Sequence, residues 1–131
     1  MVLVDTSIWS QALRRGAKHN KDARQKLSDL IVGNRAEIIG PIRQELLSGI
    51  REKAQFETLQ EHLAAFPDIA IQPEDYITAA RFFNLCRSKG IQGSNTDYLI
   101  CAIAVHHQLE IFTSDNDFKN YEKVLPIKLY K

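Results

Sequence analysis

Five acidic side chains stand where short apolar runs give way to polar ones. Asp5 follows Val2-Leu3-Val4, and Glu45 comes shortly after Ile38-Ile39-Gly40-Pro41. Asp97 heads a long apolar stretch that starts at Tyr98, Asp115 follows Ile111-Phe112-Thr113, and Asp117 stands two residues further on. Ionised carboxylates brought within a few ångströms of one another repel, so at least one must take up a proton unless a counter-charge is present. A hard divalent cation with a preference for oxygen ligands, Mg²⁺ or Mn²⁺, removes that conflict. Two such ions ~3.5–4 Å apart would hold the attacking and leaving oxygens of an in-line phosphoryl displacement. No nucleophilic Cys or Ser with a paired His, and no phosphate-cradling glycine loop, competes with this chemistry. Water activated by metal, without a covalent intermediate, is the expected reaction. Each acid also has a plain alternative: Asp5 and Asp97 as helix caps, Glu45 as surface charge, and Asp115 or Asp117 as the cap of a following short helix.

The order of elements decides whether these acids can meet. Val2-Leu3-Val4, Glu37-Ile38-Ile39, Ile69-Ala70-Ile71, residues 110–112 and residues 127–129 read as short strands. Helices are expected over residues 7–15, 21–32, 41–48, 51–66, 73–89 and 96–107, with a brief one at 118–124. In the second helix Ala23, Leu27, Leu30 and Ile31 recur at helical spacing. Pro41 suits a first helical turn, where its missing N–H would be unpaired anyway, and Gly49 suits a terminator. The helix at 96–107 is apolar nearly all round and should be central and buried. Strand alternating with helix implies an α/β class, here a three-layer α/β/α sandwich on a parallel sheet of four to five strands. Neither a repeat nor a linker interrupts it, so residues 1–131 read as one domain. In a parallel sheet ligands gather outside the carboxyl ends of the strands. Asp5, Glu45, Asp97, Asp115 and Asp117 can all reach that one rim.

The stretches VLVDTSIWS, PIRQELLSG, NTDYLICAIAV and IFTSDNDF together resemble the PIN-domain ribonucleases, and among them the VapC-type toxins of toxin–antitoxin systems. The resemblance extends over essentially the whole chain; the first and last stretches are the most specific. It implies a Mg²⁺- or Mn²⁺-dependent endoribonuclease with one or two ions per site. The family's acidic quartet falls on Asp5, Glu45, Asp97 and Asp115, and Asp117 matches an auxiliary acid. Thr6 and Thr113 match hydroxyl positions that orient a carboxylate or a water. An antitoxin protein as inhibitor and a homodimeric assembly are further implications, and none of the quartet is substituted. Three other readings compete: a receiver-like signalling domain, a catalytically silent PIN-like module, and a metal-dependent DNA or flap nuclease. The first needs a phospho-accepting Asp after the third strand, where this chain has Gln72-Pro73.

The charge balance, 17 basic against 16 acidic residues for a net +1, does not by itself announce a nucleic-acid partner. Locally, Arg14, Arg15, Lys18, Lys21, Arg24 and Lys26 face the single acid Asp22. That run is either an RNA-backbone clamp or a solvated face. Arg43 either touches RNA or pairs with an acid. Trp9 is assigned to core packing ahead of a dimer or partner contact, His106 and His107 to a helix C-terminus away from the acids, and Asn95 to helix capping. Cys86 and Cys101 read as reduced core thiols. With 44% hydrophobic and 25% charged residues, and neither a signal peptide nor a membrane span in view, the expectation is a cytoplasmic protein.

Overall fold

Val2, Leu3 and Val4 have no exposed surface, which only a strand covered on both faces achieves. The structure, a computed structural model, describes residues 1–13 and 21–131. Strand β1 (Val2–Val4) lies at the centre of a parallel sheet, between β2 (Ala36–Glu37) and β3 (Glu110–Phe112). Val2 pairs with Ala36 on one side and Glu110 on the other; Val4 pairs with Phe112. A single parallel bridge extends the sheet at each edge, Ile38 with Asp68 and Ile111 with Leu129. Those bridges stand where the sequence suggested full strands at 69–71 and 127–129. Asp68 and Ala70 are exposed, so the segment after Pro67 lacks the two-sided burial that would extend its ladder beyond the Ile69 N–H to Ile38 carbonyl bond of 3.0 Å.

Helices connect and cover the strands: α1 (Thr6–Leu13), α2 (Lys21–Val32), α3 (Gly40–Leu47), α4 (Lys53–Leu63), α5 (Pro73–Ser88), α6 (Asn95–His106) and α7 (Asp117–Glu122). Helix α1 packs on α2 and α3, while α5 packs along α6. Helix α6 buries Tyr98, Leu99, Ile100, Cys101, Ala102, Ile103 and Ala104, as its unbroken apolar composition demands. Trp9 is core: its indole N–H donates to the Val4 carbonyl at 3.1 Å and its ring meets Phe66 edge-on. Both cysteines are buried free thiols. Gly49, just past α3, has φ +87°, a conformation that costs glycine nothing. The cap of α6 is Ser94, whose Oγ accepts from the Asp97 N–H at 3.1 Å; Asn95, expected in that role, is already the first helical residue.

Arg43, on α3, pairs with an acid. It donates to Asp68 Oδ1 at 3.0 Å, to the Leu63 carbonyl at 2.9 Å and to the Phe66 carbonyl. The guanidinium thus ties α3 to the end of α4 and to the sheet edge.

A second tie joins α5 to α6. Asp75, only 3% exposed, accepts from the Gln72 N–H at 2.8 Å and meets His106 Nδ1 at 2.5 Å; His106 Nε2 lies 3.1 Å from Thr78 Oγ1. Burial alone would push the Asp75 carboxyl up. The Gln72 and His106 hydrogen bonds outweigh it and hold it below the ordinary 3.8. A carboxyl lowered on folding contributes stability that is present above its unfolded value and is lost as pH falls through its folded value. Asp75→Asn should therefore cost about 1.5–3 kcal/mol near neutral pH, the scale of hydrogen bonds to a charged group. It should also flatten the loss of melting temperature below pH 3.8. Thermal melts across that range, with wild type alongside, provide the check; an unchanged acid slope would remove Asp75 from this role.

Candidate active site

The ends of β1 and β3 are joined where the site begins: the Asp5 N–H donates to the Phe112 carbonyl at 2.9 Å. That bond sets the residues after each strand side by side. Asp5, 6% exposed, receives two hydroxyls on a single oxygen, Oδ2: Thr113 at 2.7 Å and Ser7 at 2.9 Å. Thr113 Oγ1 also accepts the Asp115 N–H at 3.0 Å, so one hydroxyl orients Asp5 and folds back the loop that carries the next acid. Asp115 Oδ1 in turn accepts the Asp117 N–H at 2.9 Å.

The other two contributions come from helices α6 and α3. Asp97 lies in the first turn of α6, where the helix dipole favours negative charge, and its Oδ2 accepts the Tyr121 hydroxyl at 2.7 Å. Glu45, on α3, accepts from Thr6 Oγ1 at 3.2 Å. Glu45 and Asp97 line one cleft together with Pro41, Gln44, Ser48, Ser94 and Thr96.

The five acids divide in an informative way. Asp97, Asp115 and Asp117 each present one oxygen, and these three lie within 4.8 Å of one another. Asp5 and Glu45 are not in that triplet; Asp5 reaches it through the Thr113 hydroxyl, and Glu45 shares the cleft with Asp97. Thr6 and Thr113 each donate to a carboxylate. Burial raises the Asp97 carboxyl above its usual value, and the nearby charges of Asp5 and Asp115 add to the rise; hydrogen bonds from Tyr121 and Ser94 oppose it. A donor set made wholly of carboxylate oxygens, one of them raised by burial and further by its neighbours' charge, fits a hard divalent cation.

Ser7, Ser94 and Tyr121 belong to this network although the sequence reading assigned them no part in it. Ser7 sits inside the Asp5-Thr6-Ser7 triplet and Ser94 just before the α6 acids, so adjacency was a usable signal for both. Tyr121 lies outside every motif, and only the packing of α7 delivers it. Of the basic run, Arg14, Arg15 and Lys18 lie outside the described residues, while Lys26 pairs with Asp22 at 3.3 Å. His106, at the far end of α6 from Asp97, is taken up by Asp75.

A family model described as PIN domain matches residues 2–124. The fold is similar to the FitAcB crystal structure from Neisseria gonorrhoeae, at 20% identity and a TM-score of 0.77, covering 100% of this chain and 97% of that one. It is similar to VapBC2 from Rickettsia felis, solved bound to a DNA fragment from their promoter, at 19% identity and a TM-score of 0.76, covering 99% and 98%. A toxin–antitoxin complex from Klebsiella pneumoniae shares the fold at 20% identity and a TM-score of 0.66, covering 90% of each chain. Among curated proteins none matches the chain by sequence.

The raised Asp97 carboxyl carries a sign that can be measured. A carboxyl whose folded value exceeds its unfolded one costs stability once pH rises above the ordinary 3.8. In chelator-treated protein at neutral pH, Asp97→Asn should raise the melting temperature by a few degrees. Added Mn²⁺ should then stabilise wild type more than the variant, since a ligand that binds the folded state alone shifts the equilibrium by mass action. Differential scanning fluorimetry tests both; a variant less stable than wild type without metal would contradict the repulsion.

Proposed function

The chain belongs to the PIN domain family, and on that premise we propose that it is a Mg²⁺- or Mn²⁺-dependent endoribonuclease. In this reading it is the toxin of a toxin–antitoxin pair, and residues 1–131 form one PIN-like domain. The observation that carries the proposal is the convergence of Asp97, Asp115 and Asp117 beside the Thr113-linked Asp5.

Asp97, Asp115 and Asp117 would hold the cation, with Asp5 and Glu45 completing its surroundings. When bound, a divalent cation supplies Lewis acidity to a phosphoryl oxygen and makes a nucleophile of water at neutral pH. The chain's own residues do the rest. Ser7 and Thr113 fix the Asp5 carboxylate, and Thr6 fixes that of Glu45. Glu45, in the cleft it shares with Asp97, accepts the proton of the attacking water. Asp117, exposed at the start of α7, closes the acid cluster on the solvent side. Arg14, Arg15 and Lys18 are proposed to touch the RNA backbone, because phosphate contacts give affinity without regard to sequence.

The similar folds solved as toxin–antitoxin complexes support an antitoxin protein as the natural inhibitor. A homodimer is part of the same proposal: α5 leaves Tyr76 and Ile77 more than half exposed, at 56% and 53%, a surface suited to burial against a second copy. No helix among the described residues is long and apolar enough to cross a membrane, in keeping with action in the cytoplasm.

Replacing Asp5 or Asp97 by Asn should lower Mg²⁺- or Mn²⁺-dependent RNA cleavage about 10²–10³-fold, the scale of removing one preorganised electrostatic group. Circular dichroism should show the variants folded. Expression of the wild-type chain should arrest growth, and Asp5→Asn should relieve the arrest. Undiminished cleavage by a folded variant would refute the assignment.

A further inference from the structure

Tyr121 has no exposed surface, and its ring packs against Tyr98 at 5.0 Å and Phe118 at 5.1 Å between centroids. A phenylalanine would fill that space equally well. What tyrosine adds is one hydroxyl, and that hydroxyl donates to Asp97 Oδ2 at 2.7 Å. The loop between α5 and α6 closes over the same atom. A Cβ placed on Gly93 would lie 2.3 Å from the Tyr121 hydroxyl oxygen, 2.8 Å from the ring carbon that bears it and 2.8 Å from the Tyr98 hydroxyl. Only a residue without a side chain lets the backbone pass so close, so the hydroxyl is held between the Gly93 backbone and the Asp97 carboxylate.

We propose that Tyr121 is a positioning residue for the cation site, holding the Asp97 carboxylate in the orientation that meets Asp115 and Asp117, and that Gly93 is required to seat it. This inference rests on the divalent-cation reading given above. An aspartate carboxylate turns through a broad torsional well, and here it also feels the like charges of Asp5 and Asp115. A buried donor on Oδ2 restricts that rotation before the cation arrives. Hydrogen bonds that orient metal-ligating side chains typically contribute about ten- to a hundredfold in metal affinity.

The experiment is calorimetric titration of the purified protein with Mn²⁺, using Tyr121→Phe, Gly93→Ala, Asp97→Asn and the Tyr121→Phe/Asp97→Asn double variant. Tyr121→Phe keeps the ring and should weaken Mn²⁺ binding about ten- to a hundredfold, with a far-ultraviolet spectrum close to wild type and a metal-free melting temperature lowered by the loss of one hydrogen bond to a partly buried carboxylate. In the Asp97→Asn background the same change should have no further effect, because its target is gone. Gly93→Ala displaces the hydroxyl without deleting it and should weaken binding similarly. Wild-type affinity in Tyr121→Phe, or an equal loss with and without Asp97, overturns the positioning role and leaves the nuclease proposal standing. A wild-type protein that binds no Mn²⁺ overturns that proposal and this inference with it.

Discussion

Like charges gathered on one rim must be restrained before any counter-ion reaches them, and this requirement shapes everything around the sheet's carboxyl end. Four of the five acids are each met by a donor. Ser7 and Thr113 take Asp5, Thr6 takes Glu45, Tyr121 takes Asp97, and the Asp117 N–H takes Asp115. Most of these donors are hydroxyls, which orient a carboxylate without adding charge that would compete for it. The acids thereby keep their full negative field, and with it their attraction for a divalent ion. Lys and Arg would have quieted the repulsion more completely and spoiled the site.

Such restraint needs a stiff base. Strand β1 is hydrogen-bonded on both sides and has no exposed residue, so Asp5 leaves a fixed strand end. The bond from its N–H to the Phe112 carbonyl carries that rigidity across to Thr113. Helix α6 enters the core with its apolar surface wholly engaged and is held at its distal end by the His106 contact with Asp75. Arg43 braces α3, the helix that carries Glu45, against the Leu63 and Phe66 carbonyls. Polar groups distant from the rim thus serve it by immobilising the elements that support it.

Much of this was legible in the residues. The fully apolar Val2-Leu3-Val4 run read as a strand, and Asp5, Asp97 and Asp115 stood where strands stopped or a buried helix began. The edge segments were harder, because an isolated apolar triplet such as Ile69-Ala70-Ile71 has the same composition whether it builds a ladder or a single bridge; pairing partners decide. Arg43 stayed open between RNA and an acid because the acid it pairs with, Asp68, lies 25 positions away. The α6 cap fell on Ser94 in place of Asn95, a one-residue difference between two good capping types. Tyr121 was invisible for a deeper reason: its meaning is a contact with Asp97, 24 positions earlier, and no periodicity encodes such a meeting.

Cys86 and Cys101 illustrate what burial does to side chains outside the site. Loss of solvent raises the pKa of both thiols above the ordinary value and makes them weaker acids, Cys101 far more so and with the charge of Asp97 adding to the effect. Thiolate is the form that peroxides and alkylating reagents attack, and at cellular pH neither sulfur supplies it. Oxidants and alkylating reagents that act on thiolates would therefore leave Cys86 and Cys101 largely untouched.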